Sequence, residues 1–216
     1  MKFFKASFKL IDIANFHDAE RYLSSIFQKD KIKVKEMGSI EVICGGMFSG
    51  KTEEMIRRMR RATIGGKKVF LGKASKDTRY DNEQVVTHNM DRMDSVPISS
   101  VAELYKVVGD ADVIGIDEVQ FFTEEFIEAF EQLANQGRRV ILSGLDMDYA
   151  GIPFGLMPLL LARANQVSKL KAVCIQCGQD ASYSYRLNSD DNQVMLGSTD
   201  SYEARCRACF TEGMKS

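Results

Sequence analysis

One short run narrows the possible folds more than any other stretch of this chain: Cys44-Gly45-Gly46-Met47-Phe48-Ser49-Gly50-Lys51-Thr52. It fits the spacing G-x-x-x-x-G-K-[ST], in which glycines let backbone N–H groups turn inward around the phosphates of ATP or GTP. The motif needs a strand before it and a helix after it. Val42 to Cys44 supplies a short apolar strand and Glu53 to Thr63 a helix-like run. The start of that helix adds free N–H groups and a favourable dipole. Lys51 is placed to reach the β- and γ-phosphates, and the Thr52 hydroxyl to meet Mg²⁺. The phosphate contacts therefore fall to Gly45, Gly46, Met47, Phe48, Ser49, Gly50, Lys51 and Thr52.

Beyond the loop, strand and helix signals alternate. Glu53–Arg57 and Glu54–Arg58 are helix-supporting pairs with the acid first. Ile56, Met59 and Thr63 give that helix its apolar side, and Gly65-Gly66 stops it. Lys68 to Leu71 reads as a strand, Asp77 to Glu83 as a polar turn, and Val85 to Thr87 as a short strand. Ser100 and Glu103 form a capping-box pattern; Val101, Leu104, Tyr105 and Val108 follow at helical spacing, ended by Gly109. Ala111 to Asp117 is a buried-strand candidate. Thr123 is positioned to cap a helix with Phe126, Ile127, Phe130, Leu133 and Ala134 inside, closed by Gly137. A strand over Arg139 to Ser143, a loop over Gly144 to Gly155 and a buried helix over Leu156 to Ala164 come next, with Lys171 to Cys174 as the last core strand. Such alternation predicts an α/β fold: a parallel sheet with helices on both faces. Residues 1–38 are studded with lysines and carry no motif. They read as an N-terminal extension, with one helix candidate over Asp18 to Phe27.

Four of the five cysteines come as two C-x-x-C pairs, Cys174/Cys177 and Cys206/Cys209. That is metal spacing rather than a disulfide framework, and it points to a reducing, cytosolic compartment. Four thiolates suit a closed tetrahedral Zn²⁺ site, structural rather than catalytic. An iron–sulfur cluster or two redox pairs are the alternatives. The formal charge of -1 advertises neither a nucleic-acid nor a membrane partner. No apolar run is long enough for a transmembrane helix, and the start of the chain lacks the features of a signal peptide.

In Val113-Ile114-Gly115-Ile116-Asp117-Glu118, Asp117 ends a strand, where open sheets place their ligands, and is a Mg²⁺ candidate. Glu118 is placed to take a proton from an attacking oxygen. That oxygen belongs either to water, giving an ATPase, or to a substrate hydroxyl, giving a kinase. Phe121-Phe122 offer a face for a flat base ring. The guanine-reading N-K-x-D signature is absent.

Together, the phosphate loop with Arg57-Arg58-Met59-Arg60-Arg61, the run Asp117-Glu118-Val119-Gln120-Phe121-Phe122, Gly144-Leu145-Asp146 with Pro153-Phe154-Gly155, and the closing Cys206-Arg207-Ala208-Cys209-Phe210 resemble the cytosolic thymidine kinase family with a zinc-binding lasso. The resemblance covers about residues 39–210. It implies a RecA-like P-loop core (39–170) and a small zinc lasso domain (171–216). It further implies transfer of the γ-phosphate of ATP to the 5′-hydroxyl of thymidine or deoxyuridine, a cytoplasmic homotetramer, and inhibition by dTTP. By position, Glu118 matches the family's base, and Asp77 and Arg79 its polar pair near the phosphates. Met47, Phe121, Leu145, Tyr149, Ser184, Met195, Gly197 and Tyr202 match its nucleoside pocket. On this reading, loss of zinc loosens the lasso and weakens nucleoside binding before ATP binding. The sequence departs from the family in Gly46, where proline is usual, Val119, where alanine is usual, and Ser198, which follows Gly197 where a second glycine is common. The competing readings are a different P-loop phosphotransferase and a zinc-knuckle binding module fused to a nucleotide switch.

Overall fold

The computed structural model describes residues 38–75, 84–86, 92–187 and 201–215. The helix candidate over Asp18 to Phe27 and the turn over Asp77 to Glu83 lie outside them.

The strands are β1 (Ser39–Cys44), β2 (Val69–Ala74), β3 (Gln84–Val86), β4 (Arg92–Asp94), β5 (Val96–Ile98), β6 (Val113–Asp117), β7 (Arg139–Gly144), β8 (Gln166–Lys169), β9 (Ala172–Val173), β10 (Asp180–Ala181), β11 (Tyr183–Arg186) and β12 (Tyr202–Arg205). The helices are α1 (Lys51–Ile64), α2 (Val101–Val108), α3 (Glu125–Asn135), α4 (Met157–Arg163) and α5 (Arg207–Gly213). Six strands form one sheet in the order β5-β2-β6-β7-β1-β8. All its pairings are parallel.

Alternation along the central strands builds two cores. Ile40, Val42 and Cys44 of β1, Ile114 and Ile116 of β6, and Val140 and Leu142 of β7 face α2, α3 and α4. Ile43, Val113 and Ile141 face the other way, onto Met55, Ile56, Met59 and Ala62 of α1. Each such side chain fully removed from water contributes about 2 kcal/mol, and so the sheet is held from both sides. Thr63 is exposed, its hydroxyl donating to the Met59 carbonyl at 3.2 Å, and Met55 and Ala62 complete the buried stripe instead.

At the start of the strands, Glu41 is buried in the sheet with Arg58 Nη1 at 2.8 Å and Arg139 Nε at 2.6 Å. Arg58 Nε also meets Glu54 at 2.8 Å. Charged groups survive here because each is paired.

Three local expectations change. Ser100 Oγ accepts the Glu103 N–H as a helix cap should, but the Glu103 carboxylate accepts from the N–H and hydroxyl of Ser99, one residue further back. Thr123 does not cap α3 with its side chain; its hydroxyl donates to the Glu125 carboxylate, while its carbonyl accepts the Phe126 N–H. The last core strand is β8, not Lys171 to Cys174. Among the described residues β8 pairs only with β1, and Val167 is 46% exposed. An edge strand needs no continuous apolar run, so Gln166-Val167-Ser168-Lys169 lacks the signal of its buried neighbours. Asn165 pins its entry, bonding Ile40 through both backbone N–H and side-chain oxygen at 2.8 Å. Lys171 to Cys174 instead supplies β9, which pairs antiparallel with β10. No helix among the described residues is long and apolar enough to cross a membrane.

Candidate active site

The phosphate loop joins the end of β1 to the start of α1. Gly45 has φ 147°, and a Cβ there would lie 2.4 Å from the Leu170 carbonyl oxygen, so the backbone passes where only glycine fits. Gly50 (φ 81°) turns the chain into α1, which has no side-chain cap on its first N–H groups. The first turn of a helix is where a ligand oxygen is received. Ser49 Oγ donates to the Gly46 carbonyl at 2.8 Å, and Lys51 Nζ donates to the same carbonyl at 2.8 Å, which curls the loop around its own centre. Gly46, for its part, is not left-handed. It is buried beside the Ser182 carbonyl, where a Cβ would approach to 3.2 Å, so its freedom is used for close approach rather than for a turn.

Phe48 carries φ 64°, a left-handed value costing about 1 kcal/mol in a residue with a side chain. Its ring packs against Ala172, Cys174, Ala181 and Ala204 of the cysteine-bearing unit. A second tie joins the same partners: the Met47 N–H donates to Ser184 Oγ at 2.9 Å.

Facing the loop, β6 ends in Asp117, 5% exposed. Thr52 Oγ1 donates to Asp117 Oδ2 at 3.2 Å, and the Glu118 N–H donates to Oδ1 at 2.9 Å. Burial pushes the Asp117 carboxyl up to about 6, and the neighbouring Glu118 carboxylate adds to the rise. A hydroxyl and a carboxylate this close suit a shared hard cation. Glu118 sits at φ 55°, ψ 40°, again left-handed, which aims its side chain out of the strand line. The Val119–Phe121 turn follows. Val119 is fully buried, Phe121 half-buried and edge-on to Phe154 at 5.7 Å. Gln120, 3% exposed, donates through Nε2 to Glu118 Oε2 and accepts the Leu145 N–H on Oε1 at 3.1 Å.

The loop after β7 is folded on itself. Asp148 Oδ1 accepts the N–H groups of Ala150 and Ile152 at 2.9 and 3.0 Å, and Met147 bridges Pro153. Leu145 and Asp146 are buried at its start, the Asp146 carboxylate 2.7 Å from Lys169 Nζ. Beside this loop β11 and β12 pair antiparallel, Arg186 opposite Tyr202 and Ser184 opposite Ala204. The buried Arg186 guanidinium lies 3.6 Å over the Tyr149 ring and donates to the Tyr202 hydroxyl at 2.9 Å. Three elements distant in sequence thus meet at one cation.

At the far end of this unit Cys174, Cys177, Cys206 and Cys209 hold their sulfurs within 4.8 Å of one another, with Cys177 and Cys206 at 3.6 Å. A tetrahedral ion at a metal–sulfur distance of about 2.3 Å needs sulfurs about 3.8 Å apart. The cluster fits a structural metal site.

Met47 and Ser184 are therefore brought together, and Tyr149 and Tyr202 share Arg186, while Phe121 meets Phe154 and Leu145 is bonded to Gln120. Asp77, Arg79, Met195, Gly197 and Ser198 lie outside the described residues. Two residues were missed by sequence reasoning. Gln120 stands inside a motif that drew attention to its neighbours, and Arg186 ends a tyrosine-rich strand with nothing local to mark it.

A family model described as "Thymidine kinase" matches residues 38–210. The chain is 49% identical over 191 residues to a Bacteroides fragilis protein named thymidine kinase, covering 88% of this chain and 96% of that protein. It is 50% identical over 186 residues to a Bacteroides thetaiotaomicron thymidine kinase, covering 86% and 94%. It is 48% identical over 174 residues to one from a Rhodothermus species, covering 81% and 82%. Among solved structures, the replication initiator DnaA bound to AMPPCP and single-stranded DNA aligns at a TM-score of 0.39 and 15% identity, over 75% of this chain and 48% of that one. So loose an alignment carries no weight for fold or function.

Proposed function

The chain belongs to the thymidine kinase family, and on that footing we propose that it transfers the γ-phosphate of ATP to the 5′-hydroxyl of thymidine, giving dTMP. The observation that carries the reading is the junction of Thr52, Asp117 and Glu118. It sets a candidate base one residue from the carboxylate that touches the phosphate loop.

Residues 45–52 wrap the triphosphate with backbone N–H groups, and Lys51 moves its ammonium from the Gly46 carbonyl to the phosphates. Thr52 and Asp117 hold Mg²⁺, which when bound neutralises charge on the β- and γ-phosphates. Glu118 accepts the proton of the 5′-hydroxyl as that oxygen attacks, and the bond to the β-phosphate oxygen breaks. Met47, Phe121, Leu145, Tyr149, Ser184 and Tyr202, with Met195 and Gly197, enclose the nucleoside. Asp77 and Arg79 stand near the phosphates. Ser184 has a further part: its hydroxyl already holds the Met47 N–H, so it ties the pocket to the loop.

We assign residues 1–38 to an extension, 39–170 to a RecA-like P-loop core and 171–216 to the lasso unit. The ion at the four cysteines is Zn²⁺, with no open position for chemistry. A cytoplasmic homotetramer that also accepts deoxyuridine and is inhibited by dTTP completes the reading. The test is direct: ATP, Mg²⁺ and thymidine with wild type and Glu118→Gln. Wild type should yield 5′-phosphorylated thymidine. The variant should lose roughly 10²- to 10⁴-fold in kcat while still binding ATP. Equal turnover by the two would remove Glu118 from its role.

A further inference from the structure

We propose that Gln120 is a positioning residue that couples the carboxylate of Glu118 to the wall of the nucleoside pocket. The inference rests on the reading of Glu118 as the base. Gln120 Nε2 donates to Glu118 Oε2, and Oε1 accepts from the backbone of Leu145. The two partners fix the amide's orientation, because the Leu145 N–H can only donate and an ionised carboxylate can only accept.

The surrounding chain passes close to Gln120, at its side chain on one side and at its backbone on the other. A Cβ on Gly144 would come within 2.7 Å of Gln120 Oε1. A Cβ on Gly155, at φ 51°, would come within 2.0 Å of the Gln120 carbonyl oxygen. Both ends of the loop after β7 are therefore glycine where they clasp Gln120, and that loop carries Leu145 and Tyr149. Gln120 is 3% exposed and its bond to Leu145 is buried, so water does not compete for that anchor.

The consequence is geometric. A glutamate has three side-chain torsions, and a base must meet its proton within hydrogen-bond reach. Anchoring Oε2 fixes the carboxylate plane relative to Leu145, hence relative to whatever lies against Leu145. Gln120 touches no reacting atom; it acts through Glu118.

Gln120→Met keeps the length and loses both bonds. Its kcat should fall roughly 10- to 100-fold, as misplacement of a reacting group by about 1 Å does, with KM for thymidine and ATP within about two-fold of wild type. The deciding measurement is the same substitution made in the Glu118→Gln background, where no further fall in kcat is expected. A residue that only fills the core would lower kcat equally in both backgrounds, or would raise KM, and either result overturns the proposal. If Gln120→Met fails to fold by thermal melt, Gln120→Asn, which keeps an amide but is one methylene too short to bridge Glu118 and Leu145, should reproduce the kcat loss and its disappearance beside Glu118→Gln. Unchanged kcat in the folded variant also overturns it. The base assignment is read separately, from Glu118→Gln alone; full turnover there removes both conclusions.

Discussion

Arg186 is a charged residue buried beside the candidate site. A guanidinium leaves water only when its donors and its face are used. Here Tyr149 covers the face and the Tyr202 hydroxyl takes a donor. Replacing it with methionine keeps bulk and removes both interactions, together worth on the order of 2 kcal/mol. For Arg186→Met we expect KM for thymidine to rise on the order of ten-fold, with KM for ATP little changed; steady-state kinetics with each substrate varied in turn checks this. Neither Arg186 nor Gln120 was legible as a contact in the sequence. Leu145 lies 25 positions from Gln120, and Tyr202 lies 16 from Arg186. Motif spacing sees only neighbours along the chain. By contrast Lys51, Thr52, Asp117 and Glu118 were legible, because a phosphate loop and a strand-end acid are each local patterns whose geometry follows from the elements that carry them.

At the level of elements, the sheet was written plainly in the apolar runs of β1, β6 and β7, and the helices in their apolar spacing and glycine stops, while the caps at Ser100 and Thr123 were only partly as expected. The edge strand was not, since solvent tolerates polar residues there. The ion pairs at the start of the sheet join β1, α1 and β7 and give the fold an acid limit. Burial alone would raise the Glu41 carboxyl, but the hydrogen bonds and charges of Arg139 and Arg58 outweigh it and leave it lowered from 4.5. The Arg57 hydrogen bond is the largest influence on Glu54; it overcomes the opposing burial and, with Arg58, takes that carboxyl down to about 2. A carboxylate with a lowered folded-state value adds stability that is complete above its unfolded value and is lost as pH falls through the folded one. Thermal melts should therefore hold level above pH 4.5 as far as these groups are concerned, and decline from there toward pH 2. Glu41→Gln, which leaves the buried Arg58 without its partner on β1, should cost roughly 3 kcal/mol at neutral pH and should flatten the upper part of that decline. A melting temperature unaffected by the substitution would contradict the account.

Across the whole molecule the cysteine-bearing unit also supports the phosphate loop. Family resemblance alone suggests that removing its metal would weaken nucleoside binding before ATP binding. The packing of Phe48 and the bond from Met47 to Ser184 alter that expectation. The unit buries too little apolar surface to hold its shape without an ion, and the phosphate loop leans on it directly. After chelation of the metal, calorimetric titration should show weaker binding of both ATP and thymidine, with the parallel sheet still folded by circular dichroism. Undiminished ATP affinity would separate the loop from the unit.

The left-handed backbone at Phe48 has one more implication. Because that residue packs on the sulfur-bearing side, the loop proposed to hold the triphosphate is tied to the state of four cysteine sulfurs many residues away. Peroxide that converts those sulfurs to disulfides would let Phe48 relax and slacken the grip, so oxidative stress would silence phosphoryl donation without touching a single group that handles the donor.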